Sequence, residues 1–273
     1  MERTAMMSRT PEQQAKVDAA LELIDTFATG DSARAAELLA DMGYEEVNLN
    51  LGCPSGTVVA KEKGSGLLRN PDRLEAFLAN VCERSPLPVS VKTRVGIANG
   101  DEYGELLALF CRCGIAEIIV HPRVQKDFYS GSPRQELYGK TLLAPFPVTY
   151  NGDIFTLGDH DALLAAYPQT RHVMIGRGIV ANPALAREIR GGKGLTCEEL
   201  KRFHNELYQA YTDDMGGNAV FRMKEWWGYA EHAFADPPSV HRIMRKTRQA
   251  DEYEAAARKI FSTEKLADSP RFS

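Results

Sequence analysis

The sequence predicts an α/β fold, a parallel sheet or barrel of βα units, followed by a helical domain. Apolar, β-rich runs recur at the spacing of βαβ units, and amphipathic helical stretches lie between them. Beyond Gly191-Gly192 the strand signals stop, and helical periodicity, aromatic clusters and basic residues take over.

The runs are Val47 to Leu51, Leu87 to Val91, Ile115 to Val120, Phe146 to Tyr150 and Val173 to Ile175, with starts 40, 28, 31 and 27 residues apart. A βαβ unit occupies roughly 30 residues or more. Strands alternating with helices imply parallel strands with crossovers on the outer face. A helix starts at Asn70-Pro71, with proline at its first position and Leu74, Phe77, Leu78 and Val81 at helical spacing. Another runs from Asp31 to Met42 with Ala35, Leu38, Leu39 and Met42 on one face, and Gly43 ends it. A weak further strand is expected at Leu23 to Phe27. Even with it, the strands fall short of a closed (β/α)8 TIM barrel, so either the barrel is incomplete or the sheet is open. The expected domains are an atypical helical segment at 1–22, the α/β part at 23–192 and the helical domain at 195–273.

The chain has 273 residues, 44% of them hydrophobic, enough for one large core or a core plus a smaller domain. A net charge of −4 argues against indiscriminate nucleic-acid binding. Arg242, Arg245, Lys246, Arg248, Arg258 and Lys259 nonetheless concentrate positive charge in the helical part. Trp226 and Trp227 read as core. No apolar run approaches the ~20 residues of a membrane span, and the N-terminus lacks a secretory apolar region, so a cytoplasmic protein with no membrane partner is expected. The five cysteines are scattered, which suggests neither a disulfide framework nor a metal site.

In βα barrels functional groups sit where strands meet their following loops. Here those positions hold Asn50 and Cys53, then Lys92 and Arg94, then His121 and Arg123, then Asn151 and Asp153, and finally Gly176 and Arg177. Each cluster alone reads equally as a turn, a solvated strand end or a structural histidine. Five clusters at five successive strand ends converge on one rim, and that conjunction points to a site. Gly176-Arg177-Gly178 suits a phosphate, because glycines let backbone N–H groups approach and arginine adds charge-assisted hydrogen bonds.

Asn50-Leu51-Gly52-Cys53-Pro54, followed by Lys61-Glu62-Lys63-Gly64-Ser65-Gly66-Leu67-Leu68, resembles the tRNA-dihydrouridine synthases. The resemblance continues through Val91-Lys92-Thr93-Arg94, His121-Pro122-Arg123, Tyr150-Asn151-Gly152-Asp153 and Gly176-Arg177-Gly178 to Phe221-Arg222-Met223-Lys224-Glu225. It covers roughly residues 30 to 262. It implies an FMN-binding TIM barrel with a helical, tRNA-binding domain, and reduction of tRNA uridine to 5,6-dihydrouridine with NADPH as reductant. Carried over by position, Cys53 would protonate C5 of uracil while hydride from reduced FMN reaches C6. A thiol of ordinary acidity carries its proton at neutral pH. Lys92, His121, Asn151, Asp153, Gly176 and Arg177 would hold FMN. Asn50, Lys61, Arg94 and Arg123 would face the RNA. A nucleotide must be turned out of its helix to reach such a pocket, and Phe128 and Tyr129, in the loop after His121, read equally as stacking partners for it or as packing for that loop.

The family's first strand carries an Ala-Pro-Met-type motif against the flavin, and nothing here resembles it. A second strand has no counterpart either, and Asp25-Thr26 stands where the family has a Pro-Gln pair. Residues 1–22, with Gln13, Gln14, Lys16 and Asp18, are too polar to line a barrel interior. The expectation is a truncated barrel whose open edge invites self-association. A catalytically impaired homologue that retains only tRNA binding is therefore the alternative reading.

Overall fold

The computed structural model describes residues 31–268. The weak strand expected at Leu23 to Phe27 and the helix expected in residues 1–22 lie outside the described residues. The chain divides into two compact units, the first ending at Tyr150 and the second beginning at Asn151.

The first unit opens with helix α1 (Ser32–Asp41). The Asp31 carboxylate accepts from the Arg34 N–H at 3.1 Å and caps its start, and Gly43, at φ +86°, ends it. Its buried face is Ala33, Ala35, Ala36 and Leu38. Met42, expected on that face, is exposed because it lies past the last turn, at the C-cap.

Then follow β1 (Val47–Leu51), the short α2 (Gly56–Val59), α3 (Pro71–Arg84), β2 (Val89–Arg94), α4 (Tyr103–Arg112), β3 (Glu117–His121), α5 (Gln135–Thr141) and β4 (Val148–Tyr150). Helix α3 starts as predicted, with the Asn70 side chain accepting from the Arg73 N–H at 3.0 Å and Pro71 in the first turn. Strands β1 to β4 lie side by side in chain order, each pair parallel.

Strand β2 begins later than Leu87 and runs on through Arg94. Pairing starts where the Pro88 carbonyl accepts from the Val47 N–H at 3.0 Å, since prolines at 86 and 88 have no N–H to donate. Strand β3 likewise begins at Glu117 rather than Ile115, after the left-handed turn at Gly114 (φ +72°).

Register then sorts the side chains, because residues in register on parallel strands share a face. Asn48 pairs with Ser90, Asn50 with Lys92, Ser90 with Glu117, and Arg94 with His121. These polar residues therefore line one face. Val47, Leu49, Leu51, Val89, Val91, Ile118 and Val120 take the other and are buried, as are Leu74, Leu78, Leu106, Leu109 and Phe110 of the helices. The polar face satisfies itself along its base: Asn48 Nδ2 donates to Ser90 Oγ at 2.9 Å, Ser90 Oγ to Glu46, and Thr149 Oγ1 to Glu117.

The second unit continues the alternation with α6 (Leu157–Ala166), β5 (His172–Val173), α7 (Arg177–Ala181) and α8 (Leu185–Ile189). Strand β5 stops before Ile175 because the Met174 carbonyl is taken by Asn151 Nδ2 at 2.8 Å and the backbone turns at Gly176 (φ −105°, ψ −97°). Helices α9 (Cys197–Met215), α10 (Ala219–Ala230), α11 (Pro237–Met244) and α12 (Ala250–Thr263) follow. They share a core that includes Leu200, Met223, Trp226, Trp227, Val240, Tyr253 and Ile260, so both tryptophans are buried as predicted. At its centre the Tyr253 hydroxyl accepts from Trp227 Nε1 at 3.0 Å and meets His204 Nε2 at 2.6 Å. The fold class is the one predicted, TIM-type βα repeats followed by a helical region.

Candidate active site

In the first unit the polar strand ends gather around Cys53. Asn50 Oδ1 accepts from the N–H groups of Gly52 and Cys53, both at 3.1 Å, and so shapes the turn that carries the thiol. The Cys53 carbonyl accepts from the Ser65 N–H at 3.0 Å and from Ser65 Oγ at 2.8 Å. Gly64 makes that clamp possible. Its φ is +56°, and a Cβ there would stand 2.8 Å from the Cys53 carbonyl oxygen. Ser65 is completely buried, and although it lies in the family-like segment Lys61 to Leu68, nothing in the sequence alone gives it this role.

Lys92 is half-buried beside them. Burial pulls its pKa down, the neighbouring Arg94 charge adds to the lowering, and Cys53 opposes it. Among the described residues the ammonium has no hydrogen-bond or ion-pair partner.

Arg94 is 1% exposed and serves backbone groups. Nε donates to the Gly52 carbonyl at 3.0 Å, Nη1 to Val124 at 2.9 Å and Nη2 to Phe128 at 2.7 Å. Arg123, equally buried, donates from Nε to the Ser130 carbonyl at 3.3 Å and from Nη2 to Gly131. Its Nη1 lies 3.1 Å from His121 Nε2. A guanidinium can only donate, so His121 Nε2 is the acceptor and the ring's proton sits on Nδ1.

Arg134 pairs with Asp127, and that hydrogen bond lowers the Asp127 pKa against the opposing effect of burial. Three arginines thus pin the loop between β3 and α5, which holds up Phe128 and Tyr129, 53% and 55% exposed. The Tyr129 ring lies 5.6 Å from the Arg94 guanidinium carbon and 6.1 Å from the His121 ring. Lys61 is exposed on the segment between α2 and Gly64.

In the second unit Asn151, Asp153, Gly176 and Arg177 form a second cluster. Asp153 Oδ1 accepts from Arg177 Nη2 at 2.7 Å, and the guanidinium carbon lies 5.3 Å from the Phe155 ring centroid. Asn151 ties down Met174, as above. Gly178 is required here, because a Cβ would stand 2.0 Å from the Ile154 carbonyl oxygen. Asp236 caps α11 by accepting from the Ser239 N–H at 3.0 Å. Lys224 donates to the carbonyls of Arg245 at 3.0 Å and Thr247 at 2.8 Å, fixing the segment that bears Arg242, Arg245, Lys246 and Arg248. Those four cations have no ion pair among the described residues. The described residues contain no cluster able to hold a metal ion, and none of their helices is long and apolar enough to cross a membrane.

βα repeats that carry a thiol, a histidine and a lysine without a partner among the described residues at their strand ends make up an α/β protein with a candidate active site. Residues 2–262 match the description of the dihydrouridine synthase (Dus) family. A tRNA-dihydrouridine(16) synthase of Pseudomonas syringae pv. tomato is 30% identical over 250 residues, covering 87% of this chain and 78% of that protein. Its namesake in Neisseria meningitidis serogroup A is 29% identical over 248 residues, covering 85% and 72%. A probable tRNA-dihydrouridine synthase of Staphylococcus epidermidis is 37% identical over 183 residues, covering 64% of this chain and 56% of that protein. The chain belongs to the dihydrouridine synthase family, whose members are oxidoreductases.

Proposed function

We propose that the protein reduces the C5=C6 bond of a uridine in tRNA, with FMN as cofactor and NADPH as reductant, and with Cys53 as the proton donor. The observation that carries the cofactor assignment is Lys92, a half-buried ammonium with no partner among the described residues, close enough to the Cys53 thiol for the two to act on each other. A half-buried cation with no counter-charge among the described residues is suited to the electron-rich edge of a ligand. His121, whose ring Arg123 orients through Nε2, stands on the same polar face of the sheet as Lys92. In the second unit Asn151, Gly176 and Arg177 are the candidates for the cofactor's phosphate. Asp153 acts by holding Arg177, since a carboxylate and a phosphate repel.

Bound FMN supplies the hydride that C6 of uracil accepts, and NADPH restores it. The remaining work belongs to the protein. Cys53 gives its proton to C5, with its peptide fixed by Ser65 and its turn by Asn50. The uracil must leave its stack to reach the thiol. Lys61 and the exposed cations at 242–248 bind the RNA backbone, an interaction that salt weakens.

Protein incubated with FMN and freed of excess is expected to keep an absorption band near ~450 nm, and Lys92→Met to keep less of it. A parent protein that stays colourless overturns the cofactor assignment.

A further inference from the structure

Phe128 holds a half-exposed ring in a strained backbone conformation. Its φ of +50° and ψ of −97° lie where glycine sits freely and a bulky side chain does not. Among non-glycine described residues only Glu62 shares a positive φ. Neighbours on both sides enforce the conformation: the Phe128 N–H donates to the Gln125 carbonyl at 3.2 Å, its carbonyl accepts from Arg94 at 2.7 Å, and the Ser130 N–H donates to the Asp127 carbonyl at 2.7 Å. The side chain is 53% exposed, and its ring makes no aromatic or cation contact among the described residues. No aromatic partner among the described residues accounts for phenylalanine at a position whose backbone favours glycine. Strain held in place by a rigid surround is characteristic of ligand-binding positions.

The same guanidinium shows where the ring stands. Arg94 binds the Phe128 carbonyl through Nη2 and the Gly52 carbonyl through Nε. The two peptides are one guanidinium apart, and Gly52 directly precedes Cys53. Phe128 therefore rises at the edge of the thiol's surroundings, while Tyr129 turns towards Arg94 and His121. A flat, apolar, preorganised ring beside a base-reducing centre, with cations nearby, fits an unstacked nucleobase.

We propose that Phe128 is a substrate-binding residue that stacks on the nucleobase next to the uridine being reduced, replacing the neighbour that this base loses when the target leaves the helix. The inference rests on the tRNA-uridine reading above. Stacking on a base tolerates any aromatic ring but not its loss.

The test compares parent, Phe128→Gly and Phe128→Trp for melting temperature, for affinity towards a pool of unmodified tRNA transcripts, and for kinetics of dihydrouridine formation. Phe128→Gly is expected to melt no lower than the parent, to bind tRNA about tenfold more weakly, and to show that loss in KM rather than kcat. Phe128→Trp is expected to recover most of the affinity. A Phe128→Gly protein with the parent's KM and affinity, or one that melts well below it, overturns the inference while uridine reduction by the parent stands. A ring-dependent affinity in a parent that forms no dihydrouridine supports stacking of Phe128 on tRNA and overturns the activity instead. A parent that binds no tRNA overturns both.

Discussion

Replacing Arg94 by methionine, of similar length but without charge or donors, removes hydrogen bonds to three carbonyls, those of Gly52, Val124 and Phe128. A hydrogen bond from a charged donor contributes about 1.5–3 kcal/mol, so the gross loss is about 6 kcal/mol. Against this stands the relief of a guanidinium that is 1% exposed, whose desolvation costs on the order of several kcal/mol. The net destabilisation is about 3 kcal/mol, which lowers Tm by about 6–12 °C in a domain of this size. The loop it holds should also open. Thermal melting combined with limited trypsin digestion reads both effects, because Lys126 is an exposed cleavage site on that loop. An Arg94→Met protein that melts with the parent and is cut no faster at Lys126 would refute the assignment of Arg94 as the tie between the two loops.

In the second unit Gly178→Ala forces a methyl group against the Ile154 carbonyl, where 2.0 Å is left. Overpacking of this kind costs about 1–3 kcal/mol or more, and urea unfolding together with weakened FMN retention reads it. Tyr253→Phe takes the partner from Trp227 Nε1 and from His204 Nε2, both buried. It should lower stability by about 2–4 kcal/mol, and calorimetry that finds the variant as stable as the parent contradicts the network. Burial pushes the Glu102 pKa up, but the N–H groups of Ile97, Ala98 and Asn99 outweigh it, so the folded pKa lies below the ordinary 4.5. A depressed carboxylate pKa stabilises the fold above the unfolded value and ceases to do so as pH falls through the folded one. The stability gap between parent and Glu102→Gln should therefore be full at neutral pH and close below about 4.5. A gap that persists unchanged in acid contradicts this.

The strand positions were legible because their apolar residues alternate with polar ones at fixed strand ends, and the start of α3 because Asn70 and Pro71 carry capping chemistry. The gathering of Asn50, Lys92, Arg94 and His121 was legible too, since register on parallel strands follows from the βα repeat. What the arginines do was not. A buried arginine that binds carbonyls and one that awaits a phosphate look alike in a sequence, and only the path of the loop between β3 and α5 separates them. Ser65 was hidden for a related reason. Its clamp on the Cys53 carbonyl depends on the left-handed turn at Gly64, a long-range contact without a local pattern. The length of β5 was misjudged because Asn151, distant in sequence, takes the Met174 carbonyl.

The central claim is that the Cys53 thiol completes reduction of a tRNA uridine. Mass spectrometry of nucleosides from unmodified tRNA transcripts, after incubation with the FMN-loaded protein and NADPH, tests it directly. The account predicts a nucleoside heavier than uridine by the mass of one hydrogen molecule with the parent protein, and its near-absence with Cys53→Ala under conditions where FMN is still bound. Equal yields from parent and Cys53→Ala, or no reduced uridine from the FMN-loaded parent, would contradict it.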